Sequence, residues 1–204
     1  MSRLRTRLAA AAASALAVGA SLAAVTAGPA NAATTTTPLP AVSSVDLNQY
    51  LGHWNQVAAI PQIYQIQCAR NSGADYTLVD PDTIGVVNTC TTWFGTKSKV
   101  TGKADVLDPT TNAQLRVSFN GIPNFGDTTK PNYVITYLAP DYSFAIVGDP
   151  ARQSGFVLSR TPQLQGITWH QVREIVEARG YDSCRFRVTP VAGGRQDRVK
   201  LCTL

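Results

Sequence analysis

The sequence predicts an all-β fold: an eight-stranded antiparallel up-and-down β-barrel with one external C-terminal α-helix and a short ninth strand. Three observations predict it. Eight runs with strand character follow one another between residues 54 and 160, and 114–119 alternates apolar with polar at every step. Short connections join most of them, with turn signals such as Pro81-Asp82 and Asp108-Pro109, as antiparallel neighbours require. One stretch, 168–179, instead carries apolar residues at helical spacing. Eight sequential strands either expose two edges or close, and closure removes edges that invite aggregation.

The chain before the barrel reads differently. Residues 1–32 are expected to be a secretory signal peptide. Arg3, Arg5 and Arg7 form a basic start, 8–25 is apolar and Ala-rich, and Ala30-Asn31-Ala32 is a small-x-small cleavage site. Gly28 and Pro29 after the apolar run argue against a membrane anchor. Residues 33–44 form a Thr/Pro-rich linker with little to bury, and the barrel domain spans 45–204. A lipid anchor needs a Cys at the junction, and no Cys precedes Cys68. The mature chain is therefore expected to start near Ala33, secreted or in the periplasm or cell envelope, and not lipid-anchored. Export leaves peripheral contact with the cell envelope open. The formal charge of +5 belongs largely to the leader: without its three Arg, 15 basic residues of 18 face 13 acidic. No basic patch argues for nucleic acid.

Strands are expected at 54–60, 74–79, 84–90, 98–107, 114–119, 133–138, 143–147 and 155–160. Connections 61–67 and 120–131 are long enough to shape a mouth. In 168–179, Trp169, Val172, Ile175 and Val176 share one face, with Thr168 placed to cap the start and Gly180 the end. The polar face mixes Arg and Glu, which suits a helix packed on a barrel better than one lying on a membrane. Residues 185–189 form the ninth strand.

One pair is expected to close the barrel. Gly52 permits a sharp bend before Trp54 at the start of the first strand, and Arg160 ends the last. First and last strands pair antiparallel in a closed barrel, so the guanidinium meets the indole. If Trp54 points inward, strand parity sends Gln56, Ala58 and Ile60 with it. Leu158 and Phe156 share the Arg160 side. Leu115, Val117 and Phe119 form the apolar face of their strand, and Tyr137 and Phe144 complete the expected ligand-binding set. Each also suits plain barrel core.

Four cysteines in an exported chain favour two disulfides. Cys68 and Cys90 flank a hairpin, with slack needed to bring them level. Cys184 and Cys202 are nearly symmetric about Gly193-Gly194, so Cys68–Cys90 with Cys184–Cys202 is the preferred pairing. His53 and His170 are the only histidines, and no metal-ligand, triad or nucleophile-elbow spacing is present. No metal, cofactor or catalytic residue is expected.

Several motifs together resemble the lipocalin family, in its bacterial and apolipoprotein D-like branch. They are Tyr50-Leu51-Gly52-His53-Trp54, Ala113 through Phe119, the Asp141-Tyr142 corner leading into Phe144 through Gly148, Leu158-Ser159-Arg160-Thr161-Pro162, and Gly180-Tyr181-Asp182. The resemblance covers about 45–190. It implies a calyx for a small hydrophobic ligand or lipid and places a pocket aromatic at Phe156. It also supplies a rival disulfide pairing, Cys68–Cys202 with Cys90–Cys184. The anchored bacterial members depart from this chain, which lacks the junction Cys.

The function expected is a secreted, non-enzymatic binding or transport protein for a fatty acid, lysolipid or similar lipid. Burying each methylene contributes about 0.8 kcal/mol, enough for an acyl chain to offset the cost of association. Two alternatives use the same barrel: a lipid-modifying enzyme, for which a free thiol is the discriminating feature, and an interaction or inhibitor protein with a packed interior. Neither ligand identity nor subunit number is written in the sequence.

Overall fold

The computed structural model describes residues 37–123 and 126–204. The expected signal peptide lies outside the described residues, as does the start of the linker.

Eight strands close into a barrel. They are β1 (Gly52–Ala59), β2 (Cys68–Asp80), β3 (Thr83–Thr92), β4 (Lys97–Val106), β5 (Gln114–Phe119), β6 (Tyr133–Leu138), β7 (Phe144–Gly148) and β8 (Gly155–Ser159). Each pairs antiparallel with the next, and β1 pairs with both β2 and β8. A short helix α1 (Leu47–Tyr50) precedes β1, and α2 (Trp169–Ala178) and β9 (Arg187–Val188) follow the barrel. The sequence reading lacks α1, whose four residues are too few for a periodic signal. Its start is set by Asp46, whose carboxylate accepts from the Asn48 and Gln49 amides.

β1 serves three neighbours. Gly52–Asn55 pair with β2, and Ala58 and Ala59 pair with β9 on the stretch that β2 has left. A bulge between Gln56 and Ala58 in the β1–β8 register accompanies the change of partner. β2 begins six residues before the expected 74–79. Two register shifts, between Cys68 and Arg70 and between Arg70 and Gly73, break the alternation there and hide the strand. They also supply the slack that brings Cys68 beside Cys90.

Side chains divide into two layers. The inner one joins Trp54, Ala74, Tyr76, Ile84, Val86, Ala104, Leu115, Ile135, Val147 and Leu158. The outer one joins barrel residues such as Val57, Val134, Ile146 and Val157 to Val172 and Val176 of α2, and to Phe186 and Leu201. Val172 and Val176 are fully buried because the helix lays its apolar stripe on the wall. Thr168 caps α2 in a reciprocal capping box with Gln171, and Gly180 leaves it at φ +78°. Disulfides join Cys68 to Cys90 and Cys184 to Cys202. The second pins the C-terminal turn Leu201–Thr203 beside the turn Ser183–Arg185.

Candidate ligand-binding site

Strand directions define two ends. β1, β3, β5 and β7 run toward connections 60–67, 93–96, 120–123 with 126–132, and 149–154, which form the open end. The opposite end is closed by residues 45–54 and by Arg160.

That floor is built on Trp54. The indole has no solvent exposure, and its Nε1 donates to the Tyr50 carbonyl at 2.8 Å. The Arg160 guanidinium lies 3.8 Å above the ring. It donates to the Gln49 carbonyl at 2.6 Å and the His53 carbonyl at 2.9 Å. The first is a carbonyl that α1 leaves without an intrahelical partner. Gly52, at φ +91°, makes a bend that a side chain would strain, and it lies against Arg160: a Cβ there would be in ordinary contact with Nη1 at 3.5 Å. The Asp141-Tyr142 corner also has a place here. Tyr142, at φ +58°, accepts from the Asp46 amide at 2.9 Å and ties the chain before α1 to the β6–β7 turn.

Above the floor sits a polar cluster that sequence reasoning missed. The Tyr133 hydroxyl lies 2.8 Å from that of Tyr50 and 3.2 Å from that of Tyr76. Tyr50 stacks on Tyr76, with ring centroids 5.8 Å apart. Two of the three were legible as inward positions, since Tyr76 alternates with Ala74 and Tyr133 with Ile135. Their convergence on one point needed the barrel. Burial pushes the Tyr76 hydroxyl up to about 12 and drives Tyr50 and Tyr133 well above the usual phenol range.

The sign of the pH dependence follows. An unfolded tyrosine titrates near pH ~10, below its folded value, so the unfolded chain loses its proton first. The contribution of Tyr76 is whole below pH ~10 and is lost as pH rises toward about 12, and those of Tyr50 and Tyr133 fall from the same starting point. Urea melts from pH 8 to pH 12 should show stability falling by about 1.4 kcal/mol per pH unit per phenol, beginning near pH ~10. Tyr76→Phe should flatten the fall, and an unchanged slope would exclude the cluster as its cause.

Cross-strand partners share a face, so the register maps the wall. Val86 faces Gly102, and Gly102 faces Phe119. Ala104 faces Val117, Val106 faces Leu115, and Phe156 faces Val147. None of these carries a charge. A Cβ on Gly102 would come 2.9 Å from Phe119 Cδ1, so the Phe119 ring covers that glycine. Leu115 and Leu158 are buried, whereas Val117, Phe119 and Phe156 are half-buried. The barrel is thus filled below and more accessible above.

Of the ten expected ligand residues, Gln56, Leu115, Val117, Phe119, Phe156 and Leu158 lie on the inner face. Gln56 faces there opposite Leu158, but its amide is engaged, donating to Thr189 at 3.1 Å and accepting from Gln65 at 2.9 Å. Four positions need correction. The bulge after Gln56 reverses parity, so Ala58 and Ile60 pack in the outer layer, and Ala59 takes the place opposite Phe156. A second bulge, between Ile135 and Tyr137, turns Tyr137 outward, and Phe144 lies out of phase with inward Ala145 and Val147. Tyr137 stacks on Phe144 outside the barrel, beside a groove of about 650 Å³ under α2.

A closed eight-stranded antiparallel barrel, plugged at one end and looped at the other, defines a calyx-type β-barrel protein. Comparison with known proteins gives the family. A lipocalin-like domain model matches residues 45–191. Temperature-induced lipocalin-1 of Arabidopsis thaliana is 33% identical over 157 residues, covering 73% of this chain and 81% of its own length. The outer membrane lipoprotein Blc of Vibrio cholerae is 31% identical, covering 71% and 82%. Among solved structures, lobster apocrustacyanin A1 superposes with a TM-score of 0.54 at 19% identity, covering 76% of this chain and 92% of its own. Insecticyanin of the tobacco hornworm Manduca sexta gives 0.55 at 20%, covering 75% and 82%. The chain belongs to the lipocalin family.

Proposed function

We propose that this lipocalin is an exported carrier that holds a fatty acid, lysolipid or similar amphiphile in the upper half of its barrel. The observation that carries the reading is the uncharged inner wall, packed solid around Trp54 and only half-buried at Val117, Phe119 and Phe156. An acyl chain there gains by desolvation, and the phenol cluster below offers the nearest polar handle. Export rests on the leader's cleavage site and suits a chain with two disulfides. With all four cysteines in the two disulfides, thiol counting on the purified protein should find none, and a single reactive thiol would favour the lipid-modifying alternative.

Titration with Nile red or parinaric acid tests it. Saturable binding at micromolar or tighter affinity is expected, and folded protein without a saturable signal would favour the packed-interior reading. Phe156→Ala should shift preference toward bulkier ligands. Its stability cost should fall below the roughly 3–5 kcal/mol of a fully buried Phe. A full-sized loss with unchanged preference would return Phe156 to the core.

A further inference from the structure

We propose that the open rim of the barrel docks onto an anionic lipid bilayer. The largest exposed apolar side chains gather there. Ile63, Tyr64 and Ile66 stand on the β1–β2 connection at 81, 59 and 70% exposure, and Trp93 and Phe94 on the β3–β4 connection at 61 and 94%. The two loops form one patch: Trp93 Nε1 donates to the Ile66 carbonyl at 2.8 Å. The Arg198 guanidinium lies 4.7 Å over the Trp93 ring and donates to the Ala69 carbonyl. A contiguous exposed patch of this kind signals a partner.

Charge selects the partner. The strand directions put Asp46, Asp75, Asp80, Asp82, Asp105, Asp108 and Asp141 at the closed end. Exposed Arg70, Lys97, Lys99 and Arg198 surround the rim patch instead. Of the acids near the rim, Asp127 pairs with Lys130 and Asp197 with Arg195, while Asp149, near Tyr64, is engaged by the Ala151 amide and the Ser154 hydroxyl. No salt bridge among the described residues uses the four rim cations. The closed end also exposes Leu78, Val79 and Leu107, but beside acids that an anionic surface repels. Aromatic side chains interleaved with cations match the headgroup zone of a bilayer, where rings sit at the interface and each cation strengthens partition about five-fold. Docked this way, the barrel mouth faces the lipid. The inference stands whatever the barrel holds.

Co-sedimentation with vesicles tests it, using phosphatidylcholine alone or mixed with phosphatidylglycerol. The full mature chain should bind the mixed vesicles and release in high salt. Phe94→Ser should weaken binding about ten-fold. The pair Lys97→Glu and Lys99→Glu should weaken it by more, because it adds repulsion. Val79→Ser at the closed end should change nothing, and equal melting temperatures would show that all variants fold. Absent or equal binding to both vesicle types overturns the proposal. So does concentration-dependent dimerisation lost in Phe94→Ser, which would assign the rim to a second copy.

Discussion

Trp54→Ala should cost about 3–5 kcal/mol, the largest single-residue loss in this protein. The indole is wholly buried at the point where α1, β1, β2 and Arg160 meet, and its removal leaves a void that the surrounding backbone cannot close. It also takes away the donor to the Tyr50 carbonyl and the surface on which the Tyr50 ring packs, 5.1 Å between centroids. Arg160 makes the loss cooperative. A partly desolvated cation–π contact contributes about 1–2 kcal/mol, and the two carbonyls gain charge-assisted donors besides. Arg160→Lys keeps the charge but has neither the planar stack nor the fork that reaches Gln49 and His53 together, so it should be far from neutral. A double-mutant cycle of Trp54→Phe with Arg160→Lys, read by urea unfolding, should give a coupling of about 1 kcal/mol or more. A coupling near zero would show that the stack adds nothing beyond its separate parts.

Loss of both disulfides should approach the whole stability of the domain. The bridges close segments of 22 and 18 residues, each contributing about 3 kcal/mol through restriction of the unfolded chain. Their sum, about 6 kcal/mol, compares with a total of roughly 5–15 kcal/mol for a typical domain. The two should fail differently. Replacing Cys184 and Cys202 by Ser frees the tail that seats fully buried Leu201 in the outer layer, so the C-terminal turn should open before the barrel does. Replacing Cys68 and Cys90 loosens the bulged start of β2, whose irregular pairing resists little by itself. Urea melts and amide exchange of the two double variants distinguish these outcomes. Peptide mapping of the oxidised protein that found Cys68 joined to Cys202 would contradict the connectivity itself.

The amino-acid sequence by itself determined the order of the eight strands, the closing pair and the helix with its caps, and it favoured one disulfide pairing over its rival. Each of these rests on a local signal: alternation, a turn dipeptide, a capping residue, a spacing about a hinge. Trp54 and Arg160 lie far apart in the chain, yet were legible because closure of an up-and-down barrel brings its first and last strands together. The tertiary structure alone decided which way Ala58, Ile60 and Tyr137 face. A period-two pattern carries no mark of the extra residue that a bulge inserts, and that residue's place depends on distant partners: β1 turning from β2 to β9, β6 shifting against β7. It also decided that Tyr50, Tyr76 and Tyr133, from a helix and two strands that do not pair with each other, share one hydrogen-bonded point. The sequence lists three tyrosines, and curvature of the closed sheet brings them together. The rim has the same origin: Ile66, Trp93 and Arg198 come from separate segments, and only the common direction of alternate strands places them at one end of the molecule.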